Sequence, residues 1–243
     1  MEKKFIIIGD IHGRTNWKTL IDPLYATNIF VGDYFDPYDS EIDFDMMSEN
    51  FNTIIELKKK YPDNFILLYG NHDLHYMKEC QERYSRYQTY CAREISELLK
   101  DNEQYFHGVA YTIGDKYIVT HAGITNTWAT KYVVDINLEL QQMETRINNL
   151  WKHYKTAFMF EPNGSPWDVY GDEYSQSPLW IRPYSLAQDN LYKGTDVIQI
   201  VGHTQTENIT DEDSGIIMVD CLGTVSKSLE ISIDLETKEE KNA

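Results

Sequence analysis

The 243-residue sequence is 42% apolar and 25% charged, an ordinary balance for a chain that buries a core, which excludes wholesale disorder. Its 22 Lys+Arg stand against 39 Asp+Glu for a formal charge of −17, so sequence-independent binding to nucleic-acid backbones or anionic membranes is disfavoured. The three cysteines, Cys80, Cys91 and Cys221, form no CxxC pair, which argues against a disulfide framework or zinc ribbon and for free thiols in a reducing compartment.

The chain opens on MEKK and only four apolar residues before Gly9, too short for a signal-peptide core. No apolar run reaches the roughly 18 residues of a membrane span, so a cytoplasmic protein is expected. The first predicted strand, Phe5–Ile8, runs into the sequence GDIHG. A helix is expected over Asn16–Tyr25. The second strand, Asn28–Val31, ends in GDYFD, and a helix is expected over Phe44–Lys60. The third strand, Phe65–Tyr69, ends in GNHD, with a helix predicted over Leu74–Lys100. Strand Lys116–Thr120 ends in HAG. A helix over Asn137–Lys155 is followed by strand Val197–Val201, which ends in GHTQ. Strands Gly215–Val219 and Ser228–Ile233 complete the pattern.

Strand and helix alternate in the first half, which implies an α/β layered fold with parallel pairing; the last third reads as antiparallel strand pairs. Mixed β-sheets packed as a sandwich and flanked by helices are the expected architecture. Residues 126–194 are rich in Trp, Tyr, Pro and Asn and lack strand runs, so they are expected to form a helical and loop cap inserted into a single domain of residues 1–235. Residues 236–243 are expected to fray.

Five polar signatures therefore sit just beyond the C-terminal ends of five strands, the edge where open α/β sheets bind ligands. One sheet is expected to deliver them to one place. They contain Asp10, His12, Asp33, Asp36, Asn71, His72, Asp73, His121 and His203, with four of the seven histidines. Carboxylate, imidazole and amide oxygen without thiolate suit a divalent cation such as manganese, iron or zinc rather than a structural zinc site. A carboxylate between two such ions can bridge them. The glycines allow close approach of backbone to the site. Each signature alone is weak, since a lone Gly-Asp is usually a turn; five in strand-end positions are hard to explain as turns.

In this order the signatures GDIHG, GDYFDPY, GNHD, HAG and GHT resemble those of the calcineurin-like metallophosphoesterases. They are most similar to the phosphoprotein-phosphatase branch, which includes bacterial and phage Ser/Thr phosphatases and diadenosine tetraphosphatases. The resemblance extends from Phe5 to about Ile233. It implies a dinuclear centre of two divalent metal ions, with manganese first and iron, zinc, cobalt or magnesium as alternatives. It further implies that Asp10 and His12 bind the first ion, that Asp33 bridges, and that Asn71, His121 and His203 complete the second. His72 is implied as general acid, Asp36 as the group that orients it, and Arg182, in SPLWIRPY, as a phosphate contact. The implied reaction is direct hydrolysis of a phosphomonoester, on a protein or a small molecule, or of a nucleoside polyphosphate, by a metal-activated hydroxide without a phosphoenzyme. Two departures stand out. Pro37 occupies the position of the family's arginine after GDxxD, which removes one phosphate clamp, and Asp73 replaces a glutamate. Gln205 stands where nucleases and many phosphodiesterases of the superfamily carry a second histidine. A phosphodiesterase or nuclease of the same superfamily, and a non-catalytic protein that keeps the fold, are the alternatives.

Other residues carry weaker expectations. His75 is expected to serve packing or the surface, with a supporting role near His72 as the alternative. His107 and His153 are expected at the surface. Arg14 could touch phosphate. Tyr170 and Trp180 are read as core before base-stacking groups, and Asn163-Gly164 as a turn.

Overall fold

The computed structural model describes residues 2–80, 82–161, 171–211 and 214–234. Tyr170, the Asn163-Gly164 turn and the 236–243 tail lie outside the described residues. Eight strands form two four-stranded sheets. The first sheet has the order β3 (Phe65–Leu67), β2 (Ala26–Phe30), β1 (Glu2–Ile8), β8 (Leu229–Asp234). The second has β4 (Ala110–Ile113), β5 (Tyr117–Thr120), β6 (Ile198–Val201), β7 (Ile216–Met218). Pairing is parallel for β1–β2, β2–β3, β5–β6 and β6–β7, and antiparallel for β1–β8 and β4–β5.

The apolar run of β1 is buried on both faces, and its two faces serve different layers. Phe5 and Ile7 join Ile29, Val31, Ile66 and Leu68 against Val119, Ile198, Ile200 and Ile217, which is the layer between the two sheets. Ile6 and Ile8 join Phe30, Phe65 and Leu67 under α1 (Phe44–Lys60). Helix α1 matches its predicted span. Asp43 caps it by accepting from the Met46 N–H at 2.9 Å, and Met47, Phe51, Ile54 and Ile55 form its buried stripe.

Two helices differ from the sequence reading. Over Asn16–Tyr25 only a 3-10 turn, Asn16–Thr19, forms. Pro23 disfavours helical backbone at Asp22, whose carboxylate instead accepts from the Leu24 and Tyr25 N–H groups in a turn. The span Leu74–Lys100 breaks into α2 (Asn71–Leu74) and α3 (Ala92–Asp101). Between them the described residues are irregular, with Arg86 at φ +63°. There Tyr76, Tyr84 and Tyr87 pack around His75, a cluster that a continuous helix could not wrap about one ring.

Strand β4 escaped the sequence reading. It is the first arm of a hairpin whose turn holds Gly114, at φ +58°. Its outer edge is covered by α5 (Leu140–His153): Asn148 Oδ1 accepts from the Val109 and Ala110 N–H groups at 2.9 and 3.0 Å, and Glu144 accepts from the Thr112 N–H at 2.8 Å. Helices α4 (Asn126–Tyr132), α5 and α6 (Pro183–Gln188) belong to the expected cap region, where no strand occurs among the described residues. The expected antiparallel pairing of the last third holds only for β8; β6 and β7 are parallel. Among the described residues no helix is long and apolar enough to cross a membrane, and Cys80, Cys91 and Cys221 are buried free thiols.

Candidate metal centre

The five signatures converge, but from two sheets rather than one: β1, β2 and β3 belong to the first, β5 and β6 to the second. A single sheet cannot place five strand ends around one point; two facing sheets can. The loops are then tied to each other by their own polar groups. The Asp73 carboxylate accepts from the N–H groups of Gly70 at 2.8 Å, Asp33 at 2.9 Å and Tyr34 at 3.0 Å, which joins the second loop to the third. The His72 N–H donates to Asp33 Oδ1 at 2.9 Å, and the His203 N–H to the Asp10 carboxylate at 3.0 and 3.1 Å. A Cβ at Gly70 would stand 2.1 Å from Asp33 Oδ1, and one at Gly202 would stand 2.2 Å from Asp10 Oδ1, so these carboxylates reach their places only across glycine. His12, Asp33, Asp36 and His203 all hold positive φ, between +44° and +65°. Left-handed backbone is costly for residues with a Cβ, and four such positions among the signature residues mark a functional edge.

The ring protons settle what these side chains can do. His12 Nδ1 lies 2.9 Å from the Phe35 carbonyl, which only accepts, so Nδ1 carries the proton and Nε2 is bare. That bare nitrogen lies 3.6 Å from Asp33 Oδ2 and 3.9 Å from Asp10 Oδ2. His121 Nδ1 donates to the Val31 carbonyl at 3.0 Å, which leaves Nε2 bare, 3.4 Å from Asp33 Oδ2 and 2.8 Å from Asn71 Oδ1. His203 Nε2 donates to the Trp180 carbonyl at 3.1 Å and turns bare Nδ1 to Asn71 Oδ1 at 2.9 Å. Lone pairs thus face lone pairs. Atoms that share an ion at about 2.1 Å lie about 3.0–3.4 Å apart in octahedral or tetrahedral geometry, close to these spacings. The six residues therefore fit a cation, and they are 97% or more buried apart from His203, which is partly buried.

The electrostatics agree. Burial pushes the Asp10 and Asp33 carboxyls well above the usual range, reinforced by Asp220 beside Asp10 and by Asp73 beside Asp33. Burial holds His12 and His203 neutral well below the usual histidine value and pushes His121 down to about 3. Crowded carboxylates and neutral imidazoles are the form in which cations bind.

A second cluster lies beside the first. Asp36 accepts from His72 Nδ1 at 2.8 Å, from His75 Nε2 at 2.6 Å and from the Tyr76 hydroxyl. Burial opposes ionisation of Asp36, but the hydrogen bonds from His72 and His75 outweigh it and hold the carboxyl below the usual range. His75 is buried and kept neutral by burial. His75 is not at the surface: its ring is buried among Tyr76, Tyr84 and Tyr87, the expected packing role, and it is also one of the three donors on Asp36, the alternative supporting role.

Arg182 donates to Thr204 Oγ1 at 3.1 Å and lies near enough to His203 and His121 to lower both. Arg14 donates to the Asp10 carbonyl at 3.3 Å. Trp180 is buried against Tyr84 and Phe160, a core position. His107 pairs with Glu144 at 2.7 Å and His153 is exposed at the end of α5, both away from the signatures. Sequence reading missed Asp220, Tyr76 and Arg86. Asp220 follows β7 as the other polar groups follow their strands, so the same rule applied once more finds it. Tyr76 and Arg86 sit on the irregular segment and leave no pattern.

The sequence model of the calcineurin-like phosphoesterase family matches residues 3–208. Among solved structures, a cold-active protein-tyrosine phosphatase from a psychrophilic Shewanella is similar in fold, with 17% identity, 96% of this chain and 76% of that chain covered, and a TM-score of 0.58. A protein serine/threonine phosphatase from Saccharomyces cerevisiae shows 16% identity over 89% of this chain and 66% of that one, with a TM-score of 0.54. These two likenesses concern the fold alone. Together with the five strand-end signatures, the match over residues 3–208 means that the chain belongs to the calcineurin-like phosphoesterase family, a metal-dependent group of hydrolases acting on phosphate esters.

Proposed function

We propose that this chain is a cytoplasmic phosphatase that hydrolyses a phosphomonoester, on a phosphoprotein or a small molecule, or a nucleoside polyphosphate. The observation that carries this reading is Asn71 Oδ1 facing two ring nitrogens, 2.8 and 2.9 Å away, whose protons are turned elsewhere. Asp10, His12 and Asp33 would hold one divalent cation, and Asp33, Asn71, His121 and His203 a second, with manganese the first choice. When bound, the pair neutralises the phosphoryl oxygens and acidifies a water molecule as nucleophile.

The protein's own groups do the rest. His72 is held through Nδ1 by Asp36, which frees Nε2 to hand a proton to the departing oxygen. Asp36, held ionised by its three donors, fixes the ring's direction and supplies the counter-charge while the ring carries that proton. Arg182 meets the phosphoryl group from the side of Thr204. Gln205, in place of a second histidine, supports monoester over diester chemistry.

The test is metal content by ICP-MS together with manganese-loaded turnover of p-nitrophenyl phosphate, bis-p-nitrophenyl phosphate, phosphopeptides and a dinucleoside polyphosphate. Two cations per chain and faster monoester than diester hydrolysis are expected. Preference for the diester would make it a phosphodiesterase, and no turnover with manganese, iron, zinc, cobalt or magnesium would make it a binding protein.

A further inference from the structure

Position 37 is proline, so the second loop supplies no guanidinium to the site. Another segment brings one to the same spot. Arg86, on the irregular stretch between α2 and α3, places its Cζ 3.9 Å from the centroid of the Tyr38 ring, and its Nη1 lies 3.5 Å from the Pro37 carbonyl. Tyr38 in turn sets its ring 4.9 Å from that of His12, edge to face, at the rim of the metal centre. A second guanidinium, that of Arg14, lies 5.8 Å from the Tyr38 centroid.

Three features single out this arrangement. The chain has 39 acidic against 22 basic residues, yet among the described residues Arg86 forms no salt bridge with a carboxylate, and Arg14 acts on Asp10 and Asp220 only at a distance. Tyr38 is 50% exposed, so the ring that carries Arg86 opens to solvent beside His12. Arg86 holds φ +63°, a backbone state that arginine rarely adopts and that here turns its side chain back onto the second loop. A guanidinium seated against an aromatic face keeps its N–H groups in the plane of the fork, which suits the oxygens of a phosphoryl group.

We propose that Arg86, seated on Tyr38 and seconded by Arg14, is the phosphate clamp that replaces the arginine absent at position 37. The clamp holds the substrate's phosphoryl oxygens before and during transfer, and so governs affinity for phosphate esters. It rests on the phosphatase reading above.

The test uses the full chain loaded with manganese and inorganic phosphate as the probe. Phosphate binding is read by calorimetry, and p-nitrophenyl phosphate kinetics give KM and kcat separately. Arg86→Ala should weaken phosphate binding and raise KM by about 10- to 100-fold, with kcat changed far less and cation stoichiometry unaltered. Arg86→Lys should recover little, because a point charge lacks the fork. Arg83→Ala removes a neighbouring positive charge that lies over Tyr87 and should leave phosphate binding unchanged. Pro37→Arg in the Arg86→Ala background should restore affinity. Wild-type phosphate affinity and KM in Arg86→Ala, or an equal loss in Arg83→Ala, would overturn the clamp. The phosphatase reading fails separately, through absent turnover by the wild-type chain, while the phosphate titration still reads Arg86.

Discussion

Two clusters of aspartate and histidine lie side by side in this protein and look alike in composition. Asp10, His12 and Asp33 form one; Asp36, His72 and His75 form the other, and in each the candidate ligand atoms lie within 4.8 Å of one another. They differ in where the ring protons point. In the first, the His12 proton goes to a backbone carbonyl and the bare nitrogen faces carboxylates 3.6–3.9 Å away, too far for hydrogen bonds. In the second, both rings donate to Asp36 at 2.6 and 2.8 Å, and Tyr76 adds a third donor. In the first cluster the His12 ring donates nothing to the carboxylates, whereas in the second the Asp36 carboxylate is already held by three donors. The same carboxylate and imidazole composition is thus arranged in two different ways. A backbone acceptor behind the ring leaves a bare nitrogen facing the carboxylates, whereas a carboxylate acceptor fixes the ring by charge.

The comparison breaks most clearly at Asp33, which touches both loops of the first cluster. Asp33→Asn should abolish stoichiometric cation binding and cut turnover by about 1,000-fold or more, as read by ICP-MS and steady-state kinetics. A variant that kept both cations and full activity would remove Asp33 from the centre. In the second cluster the outcome should split. His72→Ala should keep its cations and lose about 100- to 10,000-fold in turnover of esters with poor leaving groups, with a smaller loss for p-nitrophenyl phosphate. Loss of both cations in this variant would mean that His72 is a ligand. His75→Leu removes one of three donors from Asp36. It should cost about 10-fold in kcat with cation content and KM unchanged, since a hydrogen bond to a charged group contributes about 1.5–3 kcal/mol and two donors remain.

The smallest effect concerns protons. Asp10 and Asp33 titrate well above 3.8 in the cation-free protein, mainly through burial. The neighbouring His12, His121 and His203 are already neutral, each keeping the one ring proton it gives to a backbone carbonyl, and have no second proton to release. Cation binding should therefore release protons from the carboxyls alone, most below their raised values and less as the pH rises past them. Calorimetry in buffers of different ionisation enthalpy reads this release, and proton uptake would contradict the charge state drawn for the first cluster.

Much of the site was legible without coordinates. Short buried strands announce themselves as apolar runs. The residues just beyond them must turn, and turns built from Gly, Asp, Asn and His expose those side chains at the strand ends, here of two sheets. Helix α1 was readable for a similar local reason, since its cap Asp43 immediately precedes it and its stripe and closing lysines sit within its span. The region from His75 to Cys91 was not. Its tyrosines and His75 satisfy a helical pattern as well as an irregular one, and only the pull of Asp36 and the packing of rings around His75 decide for the latter.

Local chemistry along the chain thus determined which strands exist, which side chains stand at their ends and which family they belong to, because those properties depend on near neighbours in sequence. Tertiary structure alone decided that two sheets supply the site, that the rings of His12, His121 and His203 turn their protons to Phe35, Val31 and Trp180, and that Arg86 lies on Tyr38. Each of those outcomes joins residues between 23 and 90 positions apart, or two separate sheets, and no pattern of neighbours encodes such a meeting.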